Sequence, residues 1–271
     1  MISVLNSVSQ LGAENALSST QASLQNTLLQ LSTGLKINSG SDDGAGLSIA
    51  AGLGANISAL TQSSQNASNG VGLLQTADGA LSQVTTLLNR AVTLATEASN
   101  GGLTTAQATA ADTEYQSILK EITQIGSTTN FNGSAVFSAT AQTVFTSDGT
   151  TGGTTTTSTT TGALSASGLS LSGDLKTVAD ATTSLAAITA AINTVSATRG
   201  TIGASVNQLT ADESVQNTEV TNLTSAQNNV QNADIGTTVA KMTQYNVLEQ
   251  TGMAALSQSN QAQQAVLKLL Q

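Results

Sequence analysis

Apolar residues near the start of the chain have the spacing of a helix that packs against other helices. Leu17, Leu24, Leu28, Leu31 and Leu35 are separated by seven, four, three and four positions. This spacing places them along one stripe of an α-helix. We expect residues 1–37 to form one amphipathic helix that ends where turn-forming residues begin.

The break after this helix contains the residues expected of a joint between two helices. Asn38, Ser39, Gly40 and Ser41 favour turns, and Asp42 and Asp43 follow them directly. A carboxylate at the start of a helix stabilises the positive end of its dipole. We interpret the aspartate pair as N-terminal charges of the next helix, in preference to a pair of catalytic acids.

Two longer stretches repeat an apolar residue every seven positions, which predicts helices that pair along their length. The first, about residues 43–100, has Leu53, Leu60, Ala67, Leu74, Leu81, Leu88 and Ala95 at this spacing. The second starts near residue 174 and has Ile188, Val195, Ile202, Leu209, Leu223 and Val230, with the polar Gln216 at one step. A shorter return helix is predicted at about residues 104–126, after the turn Asn100-Gly101-Gly102.

The middle of the chain changes character between about residues 134 and 173. Val136, Phe137, Val144 and Phe145 favour strands, and turn-forming residues separate them. Residues 154–161 are threonine and serine throughout. We expect short hairpins with an exposed threonine-rich loop, which is either O-glycosylated or simply solvated.

The last stretch, Ile235–Leu270, repeats the chemistry of the first. Its expected packing face contains Val239, Met242, Leu256, Leu267 and Leu270. Asn232-Ala233-Asp234 precedes it as a second joint. The chain is therefore nearly palindromic, and we expect a mainly α fold: a long antiparallel helical coiled-coil rod with its two ends side by side and a short β-hairpin insertion in the middle.

Composition excludes several functional classes. The formal charge is −9 and the seven basic residues are scattered, which argues against nucleic-acid binding. The chain has no His and no Cys, so the usual general base, thiol nucleophile and soft metal ligands are missing. We expect no enzyme activity, no metal and no cofactor. The sequence has no uninterrupted apolar run long enough to span a membrane, so we expect no membrane insertion. The N-terminus lacks the features of a cleaved signal peptide.

Four groups of residues resemble the bacterial flagellins in the right order. The segments 31–39 and 42–50, LSTGLKINS and DDGAGLSIA, resemble the N-terminal signature of that family. Gln75–Leu81 and Asn130–Gly133 resemble two further landmarks, and residues 233–270 resemble the flagellin tail. The resemblance covers roughly residues 1–137 and 177–271.

This resemblance implies a structural subunit of the flagellar filament, used for motility. It implies that residues 1–41 with 233–271 form the inner tube (the D0 layer) and residues 42–137 with 174–232 the surrounding rod (the D1 layer). Residues 138–173 would face outward. The apolar faces of the uncharged terminal helices would then be the intersubunit packing surfaces, and Asn38–Asp43 the joint between the layers.

The resemblance also implies particular partners and a location. These are identical subunits in a helical filament, an export chaperone, and the filament cap and junction proteins, with the subunit extracellular after export without signal cleavage. Asn89, Arg90, Leu94 and Glu114 resemble the residues that a host Toll-like receptor contacts on some flagellins; otherwise Leu94 packs in the rod and Arg90 is a solvated or intersubunit charge. Two alternatives stay open, a hook–filament junction protein and a secreted coiled-coil effector or adhesin.

Overall fold

The computed structural model describes residues 2–147 and 156–269, without the side chains of residues 2–7, 9, 263 and 266–269. Helices account for most of this part of the chain. They are α1 (Ile2–Thr33), α2 (Gly44–Ala98), α3 (Thr105–Thr128), α4 (Val178–Gln231) and α5 (Ile235–Leu269). The predicted mainly α fold with a small β insertion is confirmed.

The chain divides into two compact units. The terminal unit is Met1–Gly54 with Leu223–Gln271, and the central unit is Ala55–Asn222. Both predicted joints lie in the terminal unit. The boundaries predicted at 41/42 and 232/233 follow these joints, whereas the compact units divide within the helices α2 and α4.

The core of the central unit is built from the seven-residue repeats. On α2 the repeat positions from Leu60 to Ala95 are all at most 2% exposed. They face the buried repeat residues Ile188, Val195, Ile202 and Leu209 of α4 and, from α3, Tyr115, Ile118, Leu119 and Ile122. Burying one such Leu, Ile or Val side chain contributes about 1.5–3 kcal/mol. The predicted period therefore identifies the face that stabilises this unit.

Glycines on α2 lie where the middle of the chain crosses the helix. A Cβ atom at Gly70 would be 2.7 Å from a methyl group of Val144, and one at Gly72 would be 3.3 Å from the ring of Phe131. Glycine at these positions lets both hairpins approach the helix closely. This contact offsets the helix propensity that each glycine lowers by about 1 kcal/mol.

Two antiparallel hairpins form the β insertion. Strands β1 (Asn130–Phe131) and β2 (Ser134–Ala135) are joined by Asn132 and Gly133, with φ of 51° and 81°. Positive φ at both central residues is the geometry of a type I′ hairpin turn. Strands β3 (Gln142–Phe145) and β4 (Thr156–Thr159) pair from Gln142↔Thr159 to Phe145↔Thr156.

Two expectations for the middle of the chain are wrong in detail. Val136 and Phe137 belong to no strand and instead enter the core of the central unit. The threonine run is not an exposed loop in its described part, because Thr157, Thr159 and Thr161 are buried. Alternate residues of a strand point to opposite faces, so every second hydroxyl turns inward. Thr154 and Thr155 lie outside the described residues.

Helix ends also differ from the predicted ones where local caps intervene. The helix α1 ends at Thr33, four residues early, because Gly34 takes a left-handed φ of 73° and its N–H still bonds to the carbonyl of Gln30 at 2.9 Å. The helix α4 begins at Val178, since the N–H of Asp180 donates to the hydroxyl of Thr177.

In the described part of the chain, α2 alone is long and apolar enough to cross a membrane by length and composition, with a mean hydropathy of 1.2 in its most apolar window. Core helices of soluble proteins meet the same criterion. Only 17% of the residues in that window are buried, whereas the repeat residues of α2 from Leu60 to Ala95 lie in the core. The expectation of no membrane insertion stays a prediction.

Candidate assembly interface

The two terminal helices form an antiparallel pair in the terminal unit. Gln10 Nε2 donates to Asn260 Oδ1 at 2.8 Å, and Gln21 Nε2 donates to Glu249 Oε1 at 3.1 Å. Between these bonds, a Cβ atom at Gly252 would be 3.3 Å from Cδ1 of Leu17. The expected pairing of the chain's two ends is therefore observed, and amide side chains provide part of it.

The predicted packing residues of this pair are only partly buried. Leu17, Leu24, Leu31, Leu35, Met242 and Leu256 have intermediate exposure. Leu28 is 46% exposed and Val239 is 39% exposed. The side chain of Leu267 and all of Leu270 lie outside the described residues. Among the described side chains of α1 and α5, no large apolar side chain is buried.

The sequence reasoning missed a second set of exposed apolar side chains on the same helices. Each of them is at least 44% exposed: Val8, Leu11, Leu29, Val247, Leu248 and Met253. Some of them, such as Val8 and Val247, lie on other sides of their helices than the predicted stripe, so one stripe per helix was too narrow a description. Apolar residues on more than one side of a helix with few charges are the signal that could have found them.

Asp42 organises the first joint. Its Oδ2 accepts hydrogen bonds from the N–H groups of Asn38 and Ser39, at 3.0 and 2.9 Å, and from the hydroxyl of Ser39 at 3.1 Å. The Asn38 N–H, followed by the Ser39 N–H and hydroxyl, holds the pKa of this carboxyl below its usual value. Ser39 and Ser41 share a further hydroxyl contact of 2.7 Å. The turn therefore closes around one ionised side chain.

Asp43 begins the next helix. Its Oδ1 accepts the N–H of Gly46 at 2.9 Å, which satisfies one of the unpaired donors at the start of α2. A Cβ atom at position 46 would overlap the Asp43 carboxylate and lie 2.7 Å from Cδ1 of the buried Ile37. Gly46 therefore allows both the cap and the burial of Ile37, a role that the sequence reasoning did not assign.

The second joint is capped in the same way and is bonded to the first. Asp234 Oδ1 accepts the N–H of Gly236 at 2.9 Å at the start of α5. The N–H of Lys36 donates to the carbonyl of Gln231 at 2.7 Å, and the N–H of Ala233 donates to the carbonyl of Gly34 at 2.9 Å. Two short backbone segments from opposite ends of the chain thus form an antiparallel bridge.

The residues of the predicted receptor contact lie in the central unit. Arg90 makes two hydrogen bonds to Glu114, from Nε at 2.7 Å and from Nη2 at 3.0 Å. This pairing lowers the pKa of Glu114, and both side chains are about half exposed. Asn89 is exposed, whereas Leu94 is 3% exposed and packs in the core.

The described residues bring together no recognisable reactive group. Among them, no group of three or more His, Cys, Asp or Glu side chains could hold a metal ion. The most buried carboxylate, that of Asp112, accepts the N–H of Leu175 at 3.1 Å and contacts Lys176 Nζ at 3.5 Å. These contacts fasten the start of α4 to α3, which is a structural task.

Comparison with known proteins gives consistent matches along the chain. Residues 4–142 match the family described as the bacterial flagellin N-terminal helical region, and residues 185–270 match the C-terminal helical region. A flagellin of Halalkalibacterium halodurans is 34% identical over 248 residues, covering 91% of each chain. A flagellin of Listeria monocytogenes is 31% identical over 257 residues, covering 89% of this chain and 90% of its own.

A solved structure supports the same fold. The crystal structure of Bacillus cereus flagellin matches with a TM-score of 0.50 and 27% identity, covering 56% of this chain and 88% of the other.

Proposed function

The chain belongs to the bacterial flagellins and is a structural subunit of the extracellular flagellar filament, and we propose that the exposed apolar faces of α1 and α5 are the surfaces through which it polymerises. The single observation that carries this proposal is the half-exposed apolar surface of the terminal pair. Side chains such as Leu28 and Met253 remain 46% and 50% exposed after the two helices have paired. Contact with neighbouring subunits would bury them.

The lack of charge on these helices supports the same proposal. The only charged residue in α1 is Glu14, and α5 contains Lys241, Glu249 and Lys268. A helix whose outer face remains in water is usually rich in charged side chains. Interface cores, in contrast, are depleted of charge. The polar positions of α1 and α5 are Ser, Thr, Gln and Asn, which tolerate burial when hydrogen-bonded.

Burial of this surface supplies a driving force of useful size. Fully burying a Leu side chain contributes about 1.5–3 kcal/mol, so the remaining half of one side chain contributes roughly 1 kcal/mol. Many such side chains on one subunit can exceed the entropic cost of association. In the free subunit, little apolar packing stabilises these helices, because none of their described large apolar side chains is buried. Helices without such packing are marginally stable in water. We infer that ordering of the terminal helices is coupled to assembly.

We propose that the bridged joints set the direction in which each terminal helix continues in the filament. Asp42, Asp43 and Asp234 each accept backbone N–H groups, and backbone bonds join Lys36 to Gln231. Loss of the Asp42 carboxylate removes its hydrogen bonds from the N–H groups of Asn38 and Ser39 and from the Ser39 hydroxyl, and loosens the turn. An Asp42→Ala subunit should therefore polymerise into filaments of altered form, visible by electron microscopy.

Seeded polymerisation of purified subunit, followed by electron microscopy, tests the proposed interface. Long filaments are expected from the unaltered chain. Short or absent polymer would instead favour a junction protein or a secreted coiled-coil protein. Limited proteolysis of the unpolymerised subunit should trim both ends and leave the central unit; ends that resist cleavage before assembly would count against coupled ordering.

Partners and export route are proposed from family membership. They are an export chaperone, the filament cap and the junction proteins, with export that removes no signal peptide. Mass spectrometry of the N-terminal peptide from isolated filaments tests the export proposal. Recovery of the peptide that begins at residue 1 or 2 supports it, and a peptide that begins at a cleavage site further along refutes it.

Recognition by a host Toll-like receptor is a further proposal. Asn89, Arg90 and Glu114 are exposed on the central unit and offer a charged pair. Leu94 is buried, so its contribution would be to hold the backbone of α2 in place. Soluble subunit should activate receptor-bearing cells, and Arg90→Ala should reduce the response. No activation by the unaltered subunit would remove this proposal.

A further inference from the structure

Two polar pairs interrupt the apolar contact between α2 and α4 in the central unit. Gln216 Nε2 donates to Ser63 Oγ at 2.9 Å, and the two residues are only 5% and 2% exposed. Further along the pair, Arg199 donates to both carboxylate oxygens of Asp78, from Nε at 2.7 Å and from Nη2 at 3.1 Å. The partners run in opposite directions along the sequence, so α2 and α4 are antiparallel.

The apolar layers alone specify this alignment poorly. Both helices repeat an apolar residue every seven positions, so a slip of one repeat would again place apolar residues opposite one another. Regular repeats of this kind leave alternative registers close in free energy unless polar residues exclude them. The two polar pairs are the features that differ between registers.

A slip of one repeat breaks both pairs in either direction and leaves at least one of their residues without a suitable new partner. If each residue of α4 shifts to the α2 position seven residues earlier, Gln216 would face Asn56 but Arg199 would face the apolar Val71. In the other direction Gln216 would face Gly70, which has no side chain, and Arg199 would face Thr85. One slipped register therefore leaves the buried Gln216 amide without a partner, and the other separates the partly exposed Arg199 from its carboxylate. The first loss is the larger, because a buried unpaired polar group costs more than an exposed one.

The buried pair is poorly explained by stability. Gln216 Oε1 is buried without a hydrogen-bond partner, and an apolar side chain at this repeat position would avoid that cost. A buried polar side chain at a repeat position has a known use, because it fixes register at the expense of stability. We propose that the Ser63–Gln216 and Asp78–Arg199 pairs together fix the register between α2 and α4.

Cysteine crosslinking measures register directly, since the chain contains no native Cys. Ser64 Oγ lies 3.3 Å from Asn217 Oδ1, so the substitutions Ser64→Cys and Asn217→Cys report the native register. Combining Ser64→Cys with Thr210→Cys or with Thr224→Cys reports a slip of one repeat in either direction. The full chain is refolded by dilution from denaturant, oxidised at low concentration and analysed by peptide mass spectrometry.

Substitution of both Gln216 and Arg199 should allow the slipped registers to form. In the background of Gln216→Leu with Arg199→Met, we expect the ratio of native to slipped crosslinks to fall at least about tenfold, the effect of losing roughly one buried polar interaction. Either single substitution should retain the native register. The matched control is Ile202→Leu, an apolar exchange at a repeat position between the two pairs, which should leave the ratio unchanged.

Two results would overturn the proposal. Native crosslinks alone in the doubly substituted chain, with helix content intact by circular dichroism, would mean that apolar packing or the connecting segments set the register. Slippage with Gln216→Leu alone, equal to that of the double substitution, would remove the role of the ion pair. If the double substitution fails to fold, Ser63→Ala with Asp78→Ala removes the same two pairs from α2. The crosslinking result does not depend on polymerisation.

Discussion

Replacing Leu28 by glutamine tests whether the exposed face of α1 is buried during assembly. Leu28 is 46% exposed in the subunit. A glutamine side chain is of similar length and has a similar helix propensity, so the substitution changes mainly the polarity. If neighbouring subunits bury the remaining surface, the loss is about half of the 1.5–3 kcal/mol for a fully buried Leu, or roughly 0.7–1.4 kcal/mol per subunit. That corresponds to an increase of about 3- to 10-fold in the critical concentration for polymerisation.

The assay is seeded polymerisation followed by sedimentation, which gives the critical concentration as the subunit left in solution. Asn26→Gln is the matched control, because it exchanges one exposed polar amide for another on the same helix. A second control, Leu88→Ala, removes a fully buried side chain of the central unit and should cost about 2–5 kcal/mol of its stability.

The expected pattern separates assembly from subunit stability. Leu28→Gln should raise the critical concentration and leave the thermal unfolding of the central unit unchanged. Leu88→Ala should lower the unfolding temperature. Equal critical concentrations for Leu28→Gln and Asn26→Gln would refute the claim that this face is buried in the filament.

Three further predictions concern the subunit itself. Arg199 holds the pKa of Asp78 below its ordinary value of 3.8, so their pairing stabilises the fold above that pH and this stabilisation is lost as the pH falls through the lowered pKa. Asp78→Asn should therefore lower the free energy of unfolding near neutral pH by at most about 1 kcal/mol, since the pair is partly exposed. In a pH titration of unfolding, the same substitution should flatten the acid limb. Gly126→Ala should destabilise the central unit by about 1–3 kcal/mol in denaturant unfolding, because its Cβ would overlap the carbonyl of Leu164. Gly203→Ala has open space around its Cβ and should stabilise the unit by about 0.5–1 kcal/mol. A change of the unfolding free energy in the same direction for both would contradict the packing. Asp43→Ala should remove the cap of α2 and cost about 1 kcal/mol of stability. The amide proton of Gly46 should then exchange faster than in the unaltered chain, and an unchanged exchange rate would contradict the role of Asp43 as a cap.

Periodic features could be predicted from the sequence because they repeat. The seven-residue spacing of Leu60 to Ala95 identified the buried face of α2, and the polar step at Gln216 was visible in the same pattern. The joints could also be predicted, because turn formers followed by aspartate signal the end of one helix and the start of the next.

Contacts between distant parts of the chain could not be predicted in this way. Nothing in the local sequence pairs Ser63 with Gln216, or Asp78 with Arg199, because these partners depend on the alignment of two separate helices. Thr157 is buried for a similar reason, since the inner face of a strand is defined by the helix it covers. The exposed residues of the terminal pair are explained only by molecules outside the subunit.

Hydrogen exchange of the terminal helices, compared between free subunit and filament, tests the central claim most directly. The amides of α1 and α5 should exchange rapidly in the free subunit and be strongly protected in the filament, while those around Leu88 in α2 are protected in both. Terminal helices already protected in the free subunit, or still unprotected in the filament, would contradict assembly through their exposed apolar faces.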